Sequence, residues 1–206
     1  MGNQGTSEFQ SILDHNQNDK EEHEVSSDNV KLTQPEVQPV KNQELTIVQQ
    51  PQRARVCGKS LIGSRSVDPP PIVRLQLEND KRLITNNLFV LVATLLDAEG
   101  KISDEMFGNL ISESQYLYDE NLKFDTYFIF PKLCIRKVGK FQLGFRLFCI
   151  FGQNMTSLID ESPCIASITS QTFEVYNARK FPGKLDPTSL TKTLSIQTPF
   201  LKKRNS

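Results

Sequence analysis

The fold of this chain depends on residues 50–77, which read QPQRARVCGKSLIGSRSVDPPPIVRLQL. The first part of this stretch carries four basic residues. These are Arg53, Arg55, Lys59 and Arg65. The three prolines at 69–71 favour extended backbone, so the chain should pass directly into a strand. Residues 73–77 alternate between apolar and polar side chains, which is the period of a strand buried on one face. We therefore predict a basic contact loop that is anchored to a β-sheet.

The 206-residue chain has no net charge, but its charges are unevenly distributed. Residues 1–48 contain three lysines against nine acidic residues, which leaves 21 basic against 15 acidic residues in the remainder. The acidic segment is rich in Asn, Gln and Ser and has no sustained periodicity, so we predict a disordered tail over residues 1–47. Residues 48–206 are long enough for one domain with a hydrophobic core. The basic excess of this domain is compatible with a polyanionic partner.

Several further segments have the patterns of β-strands. The apolar run at 88–96 is interrupted only by Thr94 and predicts a central strand that is buried on both faces. Residues 141–147 alternate clearly, and residues 138–141 predict a tight hairpin that leads into them. Shorter strands are predicted at 126–130, 133–138, 165–168 and 171–175. About seven strands with turn-rich connections predict an all-β sandwich.

One segment favours a short helix. Ser103 could cap it at the N-terminal end. Four apolar residues would then share one helical face: Met106, Phe107, Leu110 and Ile111. We therefore expect one or two short helices in the loops of the sandwich.

Separated blocks of the sequence resemble the velvet domain of fungal developmental regulators. The first blocks are QPQRARVCG at 50–58 and DPPPIVRL at 68–75. The later blocks follow in the family's order: LFVLVATL at 88–95, FIFPKL at 128–133, GKFQL at 139–143 and FEVYNARKFPG at 173–183. Because several blocks occur in the right order over about residues 48 to 204, the resemblance is specific.

The resemblance implies an immunoglobulin-like β-sandwich related to the Rel homology domain. It also implies a sequence-specific, DNA-binding transcription regulator of development, sporulation and secondary metabolism, located in the nucleus and able to shuttle with the cytoplasm. Its implied partners are double-stranded DNA, a second copy or another velvet protein, and a regulatory methyltransferase reached through a velvet partner. Residues 53–58 are also similar to the recognition loop of Rel proteins, in which an Arg-x-Arg pair and a cysteine contact DNA. This similarity nominates Arg53, Arg55 and Cys57.

The chemistry of these residues suits DNA. Arg can donate two hydrogen bonds to guanine, and Lys and Arg bind phosphates with an affinity that falls with salt. An extended backbone would place Arg53 and Arg55 on one side, and Arg179 and Lys180 could extend the surface from a later strand end. The candidate DNA-binding residues are Arg53, Arg55, Cys57, Lys59, Arg65, Arg179 and Lys180. The alternative is an ordinary solvated loop, because base readout needs a geometry that sequence does not reveal.

Catalysis, a bound metal and a cofactor are not predicted. Residues 58–60 resemble the end of a phosphate-binding loop, but Arg53 stands where that motif needs Gly, and no helix pattern follows. His15 and His23 lie in the predicted tail, so histidine-activated nucleophiles are not expected in the folded part. Four cysteines without CxxC spacing do not predict a zinc site. Among them, Cys57 could be either a redox-sensitive contact or a plain buried thiol.

Membrane attachment is not expected either. The N-terminus lacks a signal-peptide pattern, and the apolar run at 88–96 is too short to span a bilayer. Met1, Gly2 and Thr6 fit an N-myristoylation pattern, but acidic residues follow and a second anchoring signal is missing.

Two functions from different classes remain open. The first is a transcription regulator that binds DNA as a homodimer or heterodimer. The second is a velvet partner subunit that acts through protein–protein interaction without reading DNA itself. Residues 202–204, Lys-Lys-Arg, could assist nuclear import or could simply keep the C-terminus soluble.

Overall fold

The computed structural model of the protein describes residues 43–58, 66–77, 87–151 and 164–201. The strands are β1 (Gln43–Gln49), β2 (Arg53–Arg55), β3 (Ile72–Leu77), β4 (Asn87–Leu96), β5 (Ile102–Ser103), β6 (Met106–Gly108), β7 (Ile111–Glu113), β8 (Gln115–Tyr118), β9 (Phe124–Ile129), β10 (Leu133–Ile135), β11 (Gly139–Phe151), β12 (Ala166–Thr169) and β13 (Phe173–Tyr176). Helix α1 (Ser189–Gln197) and a 3-10 helix (Pro199–Leu201) follow the last strand.

Two sheets pack face to face. The first has the order β1-β3-β9-β8, and the second has the order β2-β13-β11-β4-β5, with β12 beside β11 and β7 beside β4. One hydrophobic cluster contains side chains of both sheets, such as Val73 and Phe128 from the first and Leu91 and Phe145 from the second. The all-β sandwich predicted from the sequence is therefore confirmed.

The alternating segments predicted from the sequence contribute one face each to this core. In β3, Val73 and Leu75 are fully buried and Gln76 is exposed. In β11, four alternate residues are buried: Phe141, Leu143, Phe145 and Leu147. A large apolar side chain stabilises the fold by about 1.5–3 kcal/mol when it is fully buried. The alternation thus identifies the inner face of each of these strands.

Strand β4 has the predicted central position but not the predicted burial on both faces. It pairs with β11 on one side and with β5 and β7 on the other. Phe89 and Leu91 are fully buried, whereas Leu88 is 42% exposed and Val90 is partly exposed. The prediction of two buried faces is wrong because only one face of this sheet is turned toward the core.

The helix predicted after Ser103 is wrong. This segment forms the short strands β5, β6 and β7. Met106 is buried, whereas its neighbour Phe107 is partly exposed and lies beneath Arg136, whose guanidinium carbon is 4.4 Å from the ring centroid. Strand β6 pairs with β10, and β5 and β7 pair with β4. Pairing with other strands, near and distant in sequence, thus overrides the local spacing of apolar residues.

The hairpin predicted at residues 138–141 is also wrong. Strand β11 begins at Gly139, but it pairs with β4, β12 and β13. The preceding strand, β10, pairs with β6 instead. These residues therefore connect β10, which pairs with β6, to β11, which pairs with β4, β12 and β13. They do not form a hairpin between β10 and β11.

Helix α1 covers the outer face of the first sheet. Its buried residues Leu190 and Leu194 pack against a second cluster made by Ile72, Leu117, Tyr127 and Ile129. Thr188 caps the helix, since its Oγ1 accepts a 3.0 Å hydrogen bond from the amide of Thr191. One short helix agrees with the predicted number, but the sequence patterns did not locate it.

The folded part begins before the predicted boundary at residue 48. Strand β1 starts at Gln43 and pairs antiparallel with β3, and Ile47 is buried in the core. The first five residues of β1 thus precede the predicted boundary. Residues 1–42 lie outside the described residues, so the predicted disorder there stays a prediction.

Candidate nucleic-acid interface

Strand β2 presents Arg53 and Arg55 on one face. The residue between them, Ala54, is fully buried, while both arginines are partly exposed. Successive side chains of a strand point to opposite faces, so both guanidinium groups lie on the face that is turned away from the core. The predicted basic loop is therefore, at this point, a strand of the second sheet.

Strand β13 holds β2 in place. The two strands are parallel, and their register places Arg53 opposite Glu174 and Arg55 opposite Tyr176. Between these pairs, Ala54 lies opposite Val175, and both belong to the hydrophobic core. Core packing therefore orders the backbone beneath the arginines, which reduces the entropy that a bound ligand would have to offset.

Asp68 fixes β2 on its other side. The amide of Arg53 donates a 2.9 Å hydrogen bond to the carbonyl of Asp68, and the amide of Asp68 donates a 2.8 Å bond to the carbonyl of Arg53. The side chain of Asp68 also accepts a 2.6 Å hydrogen bond from the amide of Leu185. Asp68 thus connects β2 to the segment that leads into α1.

The turn after β13 brings a second basic segment to the end of β2. The amide of Val56 donates a 2.8 Å hydrogen bond to the carbonyl of Tyr176, where β13 ends. Beyond it, the side-chain oxygen of Asn177 accepts hydrogen bonds from the amides of Arg179 (3.2 Å) and Lys180 (2.9 Å), whose side chains are exposed. Segments far apart in sequence thus meet at adjoining strand ends. Four residues form what is called here the basic surface: Arg53, Arg55, Arg179 and Lys180.

Other outward residues adjoin the basic surface. The registers of β2, β13 and β11 place Glu174 between Arg53 and Lys140. The hydroxyl of Tyr176 donates a hydrogen bond to the Glu174 carboxylate, and this bond raises the pKa of Tyr176. The rings of Tyr176 and Phe181 have centroids 6.4 Å apart. The alternation of β13 indicates that Glu174 and Tyr176 point outward, but only strand pairing shows which cations flank them.

One hydrogen-bond donor of Arg55 is buried. Its Nε has no hydrogen-bond partner within the described part of the chain, although the side chain as a whole is partly exposed. A buried donor without an acceptor costs about 1–3 kcal/mol.

Cys57 follows β2 but is buried. It is 7% exposed, and its amide donates a 2.8 Å hydrogen bond to the carbonyl of Ile135. Its thiol neighbours that of Cys134, and burial together with this neighbour raises the pKa of Cys134 to about 12. These contacts agree with the plain buried thiol considered from the sequence, and contact between Cys57 and DNA stays a prediction.

The remaining candidates lie outside the described residues. They are Lys59 and Arg65, together with Gly2 of the myristoylation pattern and the basic residues 202–204. Their predicted roles stay predictions.

Metal-ligand clusters and membrane-spanning helices can be assessed in the ranges 43–58, 66–77, 87–151 and 164–201. No group of three or more His, Cys, Asp or Glu side chains in these ranges is placed to hold a metal ion. In the same ranges, no helix combines the length and the apolar character needed to cross a bilayer.

Comparison with known proteins gives a consistent result. The sequence profile described as "Velvet factor" matches residues 43–107 and 96–205. The developmental and secondary metabolism regulator VEL1 of Botryotinia fuckeliana is 35% identical over 193 residues, covering 74% of this chain and 33% of that protein. VEL1 of Hypocrea virens is 32% identical over 184 residues (75% and 34%), and regulator ve-1 of Neurospora crassa is 32% identical over 188 residues (74% and 34%). The chain thus spans about a third of the length of these relatives.

Proposed function

This chain belongs to the velvet family, and on that premise we propose that it binds duplex DNA through the basic surface and regulates transcription in the nucleus. Its relatives are named regulators of development and secondary metabolism. We extend that role to this chain and include sporulation in it. The protein would act as a dimer with itself or with another velvet protein, and a velvet partner could connect it to a regulatory methyltransferase.

The observation that carries the proposal is the parallel pairing of β2 with β13. It sets Arg53 and Arg55 beside a strand whose end continues into Arg179 and Lys180. Four cations at adjoining strand ends suit the surface of duplex DNA, where phosphates and base edges lie close together. The two strands are anchored through the core, so Arg53 and Arg55 are carried by a rigid element rather than by a free loop.

The division of labour within the basic surface follows from residue type and position. Arg53 and Arg55 carry planar guanidinium groups on an ordered strand, which suits bidentate hydrogen bonds to guanine O6 and N7. Arg179 and Lys180 are exposed in a turn, which suits contacts with phosphates. We therefore assign sequence reading to β2 and general affinity to the turn.

The proposal is tested by selecting bound sequences from a random duplex DNA pool with the full 206-residue chain. Dissociation constants for the selected site are then measured across a KCl series for the wild type and for Arg53→Ala/Arg55→Ala. We expect one enriched motif, and a loss of affinity of at least about tenfold in the double variant, because each bidentate contact contributes about 1–3 kcal/mol.

A matched control removes two exposed charges elsewhere. Lys101→Ala/Arg146→Ala has the same change in net charge; Lys101 is exposed in the turn before β5, and Arg146 is exposed on β11. Equal losses in the two double variants would show that only total charge matters. A wild-type chain that enriches no motif would contradict the proposal.

A second function, that of a partner subunit without DNA readout, is favoured by an exposed apolar group at the β8–β9 hairpin. Tyr118, Leu122 and Phe124 are 50%, 81% and 53% exposed, and the rings of Tyr118 and Phe124 have centroids 4.9 Å apart. Exposed apolar patches of this kind mark protein–protein contacts. Weak DNA binding without enrichment, together with a stable complex with another velvet protein, would select this function.

A further inference from the structure

A row of alternating charge crosses three strands beside the basic surface. Arg53 on β2, Glu174 on β13 and Lys140 on β11 occupy matching register positions. The residues next to them along each strand, Ala54, Val175 and Phe141, are buried, so all three charged side chains lie on the outward face. Neighbouring strands are about 4.8 Å apart, so long side chains in such a row can reach adjacent base pairs.

The carboxylate of Glu174 has a hydrogen-bonding neighbour on its own strand. The hydroxyl of Tyr176, two residues along the same strand, donates a hydrogen bond to it. A carboxylate has two oxygens and accepts several hydrogen bonds, so one bond from Tyr176 leaves acceptor positions for a ligand. The two ion pairs within 4 Å that the described residues form both involve Asp125, at another place in the fold. Glu174 is therefore flanked by cations without being closed off by a tight ion pair in this part of the chain.

A carboxylate is unexpected on a surface proposed to bind phosphates. It repels phosphates, and exposed charge pairs contribute little to the stability of a fold. Glu and Asp side chains do, however, accept hydrogen bonds from the exocyclic amine N4 of cytosine in the major groove, where Arg reads guanine. An acceptor between two donors matches a cytosine amine beside guanine acceptors.

We propose that Glu174 is a specificity-determining residue that accepts a hydrogen bond from the exocyclic amine of a cytosine next to a guanine read by Arg53. Tyr176 acts as a positioning residue that holds the carboxylate. This inference rests on the proposed DNA-binding function and deepens it, because it states which base the surface selects beside the arginine contact.

The test compares the full chain with two variants that make the same chemical change. Glu174→Gln replaces the proposed acceptor by an amide, and Glu113→Gln makes the same change at an exposed carboxylate on β7. Each protein is used to select sequences from a random duplex pool, and dissociation constants are then measured for the wild-type site and for its single-base variants. Thermal melting checks that both variants fold.

We expect the preference of Glu174→Gln for cytosine at one position to fall by about 5- to 150-fold. The variant should instead prefer adenine there, because Gln forms two hydrogen bonds with the major-groove edge of adenine. Glu113→Gln should select the wild-type motif. Tyr176→Phe, which removes the positioning hydrogen bond, should reduce the same preference by a smaller factor without changing the other positions.

Two contrary results have different meanings. If the wild type selects a motif and Glu174→Gln selects the same one with uniformly tighter binding, the carboxylate acts only as a repulsive charge and this inference is overturned. If the wild type selects no motif at all, the proposed function fails, and the inference fails with it.

Discussion

The amide of Val56 donates a 2.8 Å hydrogen bond to the carbonyl oxygen of Tyr176. This bond continues the parallel pairing of β2 and β13 beyond the end of β2. The basic residues of β2 and those of the turn after β13 therefore share one end of the sheet. Their closeness is a property of the backbone, so it should persist when individual side chains are changed.

The turn after β13 can be tested through one charge. Lys180→Glu should weaken DNA binding at low salt and reduce the slope of log K against log[salt] by about 0.9 for the lost phosphate contact. The measurement is a set of dissociation constants across a KCl series. The control is Lys132→Glu, at an exposed lysine in the turn between β9 and β10. Its DNA affinity and salt slope should change as in Lys180→Glu only if binding depends on net charge alone.

The side chain of Asp68 should contribute to the stability of the fold. Asp68→Ala leaves the amide of Leu185 without its acceptor, which costs about 1–3 kcal/mol of unfolding free energy, measured by urea denaturation. Asp68→Asn keeps a side-chain acceptor and should recover most of this loss. Equal losses in the two variants would show that the contact with Leu185 is unimportant.

Two glycines allow a steric contact to be separated from backbone strain. A Cβ at Gly108 (φ +109°) would lie 1.8 Å from the carbonyl oxygen of Lys132, whereas a Cβ at Gly100 (φ +77°) would meet no atom within 4 Å. Gly100→Ala should therefore cost about 1–2 kcal/mol of stability, the strain of a left-handed residue. Gly108→Ala should cost clearly more, because β6 and the turn before β10 must also separate. Equal free energies of unfolding for the two variants would contradict the close approach of the Lys132 carbonyl to Gly108.

Alkaline pH should destabilise the fold. Burial raises the pKa of Cys134 to about 12 and that of Cys149 to about 11, from an ordinary value of 9.0, and that of Tyr127 to about 12 from 10.0. Above pH 9 the unfolded chain ionises first, so stability is complete below pH 9 and is lost as pH rises toward 11–12. Urea denaturation at pH 7, 9 and 10.5 should show this fall.

Two cysteine variants provide the comparison for this pH dependence. Cys149→Ala should make the fall in unfolding free energy less steep, because a buried thiol has been removed. Cys164→Ser, at an exposed thiol, should leave the slope unchanged. An unchanged slope in Cys149→Ala would mean that this thiol does not contribute to the loss of stability at alkaline pH.

Much of the fold could be predicted from local patterns. The alternation in β3 and β11 identified the buried faces, and the order of the velvet-like blocks predicted the sandwich and the family. The same patterns failed between Ser103 and Ile111 and at residues 138–141, where local spacing suggested a helix and a hairpin. In both places, hydrogen bonds to neighbouring strands of the sheets decided the outcome.

The sequence by itself determined the buried faces of β3 and β11, that Arg53 and Arg55 share one face, and to which family the chain belongs. Only the tertiary structure decided that β2 lies beside β13, that Glu174 stands between Arg53 and Lys140, and that Cys57 is buried near Cys134. The reason is physical. A side-chain period of two residues is a local property of one strand, whereas the choice of neighbouring strand depends on packing and hydrogen bonding between segments far apart along the chain.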